Sequence, residues 1–145
     1  MTFREAAALS VGVRARELWE HSENVLDTGD IERVHAMRVA TRRLRAVLEI
    51  FAPAFPKGRH KLVLTEVKRL ADALGERRDP DVQLEALAAL ESAMGEAERP
   101  GLETFADRIR AEQDSGNEQL AAALRHAEEI DLRGELRELV AEVSR

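Results

Sequence analysis

Residues 34 to 51 read Val-His-Ala-Met-Arg-Val-Ala-Thr-Arg-Arg-Leu-Arg-Ala-Val-Leu-Glu-Ile-Phe and set His35, Arg38, Arg42 and Arg45 at spacings of three and four. On a helix advancing about 100° per residue, these four side chains fall within roughly 80° of one another. Met37, Leu44, Val47, Leu48 and Phe51 gather on the opposite side. No Asp or Glu lies between Glu32 and Glu49. Like charges at these spacings each cost a few tenths of a kcal/mol, so the stripe calls for an anion from outside the helix. Guanidinium groups are always charged and present forked donors that match phosphate oxygens. From His35 to Arg45 the stripe covers about 15 Å of helix axis, which suits an extended polyanion better than one small phosphate. His35 reads as a neutral hydrogen-bond donor, because the arginines around it disfavour a further positive charge.

A second set of cations follows. Lys57, Lys61 and Lys68 share one side of the next helix within roughly 40°, beside an apolar arc of Leu62, Val63, Val67, Leu70 and Leu74. Counted outward from the intervening corner, Lys68 lies at about the level of Arg42, so two basic stripes are expected to converge into a groove. Arg43 sits on the flank of the first stripe, and Arg78 is placed to hold the carboxylate of Asp79 or Asp81.

Other chemistries lack support in the sequence. There is no Gly-rich phosphate loop, no Gly-x-Ser-x-Gly elbow and no His-Glu-x-x-His. His21, His60 and His126 have no metal-ligand spacing, and Asp79 and Asp81 read as first-turn caps of a helix, so neither a metal nor a cofactor is expected. The absence of cysteine removes disulfides, thiolate zinc sites and a cysteine nucleophile. Trp19 and the phenylalanines at 3, 51, 55 and 105 read as core or corner anchors. Few aromatics are interleaved with the cations, which weighs against base stacking and specific nucleic-acid recognition.

The elements that must position these residues are helices. The chain is rich in Ala, Leu, Glu and Arg, and only 3% of it is aromatic, so an all-α antiparallel bundle of about five to six helices is expected, forming one domain over residues 1–145. The net charge is −6. Yet from Asp30 to Arg78 twelve Lys and Arg stand against six Asp and Glu, which leaves −12 on the remainder. Such a division draws an anion to one region.

Thr2 and Glu5 form a capping box for a first helix to about Leu26. Asp30 caps the basic helix, which Pro53 and Pro56 stop near Ala52. The third helix is predicted over Lys57 to Leu74 with Gly75 just past its end. Asp79 and Pro80 then open a fourth helix to about Gly95. Two further segments run through Leu102 to Leu124, with a kink at Gly116, and through Leu132 to Val143. No signal peptide and no spanning apolar run are present, so the expectation is a cytoplasmic protein without membrane contact.

At these residues the chain resembles the CHAD family, the conserved histidine α-helical domain. The stretch His35-x-x-Arg38-Val39-x-x-Arg42-Arg43-Leu44-Arg45 is similar to its signature helix, and Arg78-Asp79-x-Asp81-Val82 is similar to its second motif. The resemblance covers about residues 5 to 95. It implies a helical bundle that binds inorganic polyphosphate without catalysis, at polyphosphate granules or beside CYTH-type triphosphatases. By position it assigns binding to His35, Arg38, Arg42, Arg45 and Lys68, then to Arg43, Lys61 and Arg78. Members of the family usually carry two such halves, and this chain carries one, so a homodimer is expected to complete the channel. The alternative is an interaction module docking RNA or an acidic protein. A phosphohydrolase is disfavoured, because Glu96-Ala-Glu98-Arg99-Pro100 lacks the lysine of the CYTH Glu-x-Glu-x-Lys motif.

Overall fold

The computed structural model describes residues 1–145 as five α-helices with no strand: α1 (Phe3–Ser22), α2 (Ile31–Ile50), α3 (Lys57–Glu91), α4 (Arg99–Glu129) and α5 (Leu132–Ser144). Short 3-10 turns at Ala52–Ala54 and Glu96–Glu98 make two of the corners. The all-α bundle expected from composition is what forms. No helix is long and apolar enough to cross a membrane.

Local chemistry explains the ends. The capping box at α1 is complete: the Glu5 amide donates to Thr2 Oγ1 at 3.1 Å, and the Thr2 amide donates to Glu5 Oε2 at 3.1 Å. This first helix stops at Ser22, earlier than Leu26, because Asn24 takes a left-handed conformation (φ 55°) that turns the chain and drops Val25 into the core. Asp30 occupies the N-cap of α2 without a side-chain cap bond. After Ile50 the Pro53 turn carries the chain to Phe55, which is buried and stacks on His60. His60 Nε2 also reaches the Leu48 carbonyl at 2.7 Å and fixes the start of α3 against the end of α2.

The largest departure from expectation is α3. It runs unbroken through Gly75 and Pro80, so Gly75 is not a helix stop, and Asp79 and Pro80 are neither cap nor first residue of a new helix. Gly75 keeps an ordinary negative φ. Pro80 lacks the amide that would have bonded the Glu76 carbonyl. That carbonyl faces the crossing with α4, where Gly116 is buried. A Cβ added to Gly116 would lie 3.1 Å from Glu76 O and 3.2 Å from Arg77 Cα. Close packing by a residue without a side chain thus covers the defect, and α4 continues past Gly116 as one helix.

The core joins Val11 and Leu18 of α1, Met37, Leu44 and Leu48 of α2, Val67, Leu70 and Leu74 of α3, Leu120 of α4 and Leu136 and Leu139 of α5. Leu62, placed by periodicity in the apolar arc of α3, is instead exposed. No side chain from Val82 to Arg108 is buried, so the far ends of α3 and α4 project from the core as a two-helix arm, with Phe105 half in solvent.

Candidate functional site

The basic helix is held from beneath. Val34, Met37, Thr41, Leu44 and Leu48 are all fully buried, and their spacing fixes the rotation of α2 about its axis. That rotation leaves Arg38, Arg42 and Arg43 exposed. None of the three has a carboxylate partner in the protein. Arg45 is half-buried, and its Nε meets Glu49 Oε1 at 3.1 Å, one turn along the same helix. Both of those side chains keep more than two fifths of their area in water, so the pair is worth well under about 1 kcal/mol and yields to a stronger anion.

Lys61 is exposed and Lys68 half-buried, and neither is paired. The contact of His60 with Leu48 sets the register between α2 and α3. At about 1.5 Å per residue from that contact, with a tight corner turning the chain back, Lys61 is level with residue 47 and Lys68 lies between Arg38 and Arg42. His35, Arg38, Arg42, Arg45, Lys61 and Lys68 line none of the five principal cavities. The cations stand on an open helical face.

Two members of the set carry shielded nitrogens without partners. His35 Nδ1 and Arg78 Nη1 are both out of contact with solvent and make no hydrogen bond. An orphaned N–H is more costly than an orphaned lone pair, which favours the His35 tautomer with its proton on Nε2.

The second motif is arranged differently from expectation. Arg78 does not hold Asp79 or Asp81; the partner of Asp81 is Arg77. Arg77 and Asp81 are both fully buried, one turn apart on α3. Gln113 Nε2 donates to Asp81 Oδ1 at 2.6 Å, and Arg77 Nε donates to Asn117 Oδ1 at 3.2 Å. Asn117 Nδ2 in turn donates to the Leu26 carbonyl at 3.1 Å. This chain of bonds ties the turn before α2 to the crossing of α3 and α4. Asp79 is exposed. Spacing alone could have found the pair, since Arg77 and Asp81 stand at i and i+4, the favoured helical distance for opposite charges.

Elsewhere, carboxylates and cations are matched between helices. Arg59 on α3 binds Glu135 at 3.0 Å and also Glu142, both on α5. Glu66, almost buried on α3, is bonded by His126 of α4 and lies 3.4 Å from Arg69. No group of three or more His, Asp or Glu is disposed to hold a metal ion.

A family model described as the CHAD domain matches residues 11–145. The match extends past the first 95 residues and takes in α4 and α5. Neither a curated protein nor a solved structure matches the chain.

Proposed function

The chain belongs to the CHAD family, and from that membership and its unneutralised basic face we propose that it binds inorganic polyphosphate without catalysing its breakdown. The observation that carries the reading is that Arg38, Arg42 and Arg43 project from a helix whose other side is fully buried, with no carboxylate paired to them. In this reading Arg38, Arg42 and Arg45 form the phosphate ladder, and Arg43 widens it. Lys61 and Lys68 extend the cationic face onto α3. His35 donates from Nε2, and half-buried Arg78 adds its positive charge.

An open face gives a polymer one wall. A second copy related by a two-fold axis presents the same face in return and completes a channel around the chain of phosphates. The module acts in the cytoplasm, at polyphosphate granules or beside a CYTH-type triphosphatase.

Calorimetry with polyphosphates of graded length, joined to a mass measurement of the complex, tests this. Affinity should rise with chain length and fall steeply with salt, as for counterion release from nucleic acids. Substituting Ala for Arg38, Arg42 and Arg45 together should abolish binding while helix content stays the same. Unchanged binding in that variant refutes the proposal. A strict monomer that still binds tightly refutes the two-fold channel alone. Stronger binding of RNA at physiological salt would favour an RNA-docking module, and magnesium-dependent phosphate release would favour a hydrolase.

A further inference from the structure

A cavity of about 430 Å³ lies in the cleft between α1 and α5 and is lined by no residue of the basic face. We propose that this cleft is a nucleotide site, taking a purine nucleoside polyphosphate, with the base against the Trp19 and Arg133 stack and the phosphates at Arg16 and Arg137.

The floor is apolar: Ala15, Leu136 and Val140 line it beside Gly12. Gly12 sits in the middle of α1, where glycine is the poorest helix former apart from proline. No backbone turn or close approach requires it, and a Cβ added there would meet nothing within 4 Å. Its effect is to leave the end of the cleft open. The size falls within the range of small-molecule sites and is too small to seat a partner helix about 10 Å across.

The rim has the chemistry of a nucleotide. Arg16, Arg133 and Arg137 have no carboxylate partner, and three of the acids on α1 and α5 are paired elsewhere: Glu17 with Arg14, Glu135 and Glu142 with Arg59. Arg133 lies over the indole of Trp19 with its guanidinium carbon 5.0 Å from the ring centroid, a stack that a planar base can extend. Glu20 and Glu23 also line the cleft and carry no ion pair. Carboxylates repel phosphate but accept hydrogen bonds from the amino and ring N–H groups of a purine or from ribose hydroxyls. The Arg4 side chain reaches the Glu142 carbonyl, so α5 runs back along α1 and Val140 lies at the Gly12 end. The base is therefore directed toward Glu20 and Glu23, and the phosphates toward Arg16, Arg137 and the open end at Gly12. This site shares no residue with the basic face of α2 and α3.

Trp19 is the single tryptophan, so its fluorescence reports binding beside it, and the Gly12 variant below assigns the change to this cleft. Titration with ATP and GTP should give a saturable change, weakened about tenfold or more when Arg133 and Arg137 are replaced by Ala. Gly12→Met should abolish the change by filling the floor, with a melting temperature equal to or above that of the unsubstituted chain. The Arg38, Arg42 and Arg45 triple Ala variant should leave the ATP response intact, which separates this test from that of polyphosphate binding. The proposal is overturned by a flat titration into the millimolar range, by full binding in stable Gly12→Met, or by a response lost in the triple variant. Inorganic triphosphate binding as tightly as ATP would equally overturn it, since the base would then contribute nothing.

Discussion

Asp81→Ala gives the sharpest stability prediction. Both Arg77 and Asp81 are fully buried, so removing the carboxylate strands a guanidinium that cannot shed its charge. Breaking a buried pair from one side costs about 3–5 kcal/mol. Gln113 Nε2, now 2.6 Å from Asp81 Oδ1, also loses its acceptor, but Gln113 lies close enough to the surface to regain water, which limits that loss to about 1 kcal/mol. A total of about 4–6 kcal/mol is a quarter or more of the ~5–15 kcal/mol that holds a domain folded. In a chain of this size it lowers the melting temperature by roughly 10 °C.

The physical cause is distinguished from mere loss of packing by the double variant Arg77→Met with Asp81→Leu. Removing both charges together eliminates the desolvation cost of each, so the double variant should lie within about 1.5 kcal/mol of the parent and be more stable than Asp81→Ala. Urea unfolding followed by helical circular dichroism measures both. A loss under about 1 kcal/mol in the single variant, or a double variant weaker than the single, would refute the reasoning that an uncompensated charge is what the pair prevents.

Two glycines of the long helices should respond with opposite sign. Gly116→Val should cost about 2–3 kcal/mol in the same unfolding assay, because its Cβ would press on the backbone of Glu76 and Arg77, which has no freedom to move aside. Gly75→Ala should stabilise by about 0.5–1 kcal/mol, since the residue is helical with open space around its Cβ position. Were Gly75 instead a left-handed helix stop, the same substitution would destabilise.

What could be read from residues alone was governed by interactions within a few positions. The capping box at Thr2 and Glu5, the proline corner and the rotation of α2 are of this kind, and all three appear as local chemistry dictates. The continuity of α3 is not. Gly75, Asp79 and Pro80 carry the local marks of one helix stopping and another starting, but the backbone of α4, some 40 residues on, packs over the carbonyl that Pro80 leaves free. The contact that decides the outcome has no signature near Pro80. Within the second motif, a step from Arg78 to Arg77 rotates the side chain by about 100°, which is the difference between a cation free for a ligand and one sealed in the core. The cleft at Trp19 was equally hidden, because α1 and α5 lie at opposite ends of the chain.

The distribution of ion pairs bears on why the basic face of α2 stays free. Three cations of α3 are matched to acids: Arg59 with two acids of α5, Arg69 beside Glu66, and Arg77 with Asp81. The chain holds 28 acidic residues against 22 basic ones, so a shortage of carboxylates does not explain why Arg38, Arg42 and Arg43 lack partners. Neither does a stability requirement, because an exposed pair is worth at most about 1 kcal/mol, while mutual repulsion among the three costs a few tenths per contact. Selection for folding alone would mix acids into this face or dilute its charge. Replacing Arg38, Arg42 and Arg45 by Ala should therefore leave the melting temperature unchanged or raise it, despite the loss of the Arg45 to Glu49 contact. A cluster whose removal relieves the fold is one kept for a ligand. A fall of several degrees would instead make those arginines structural and remove the main physical argument for an anion at this face.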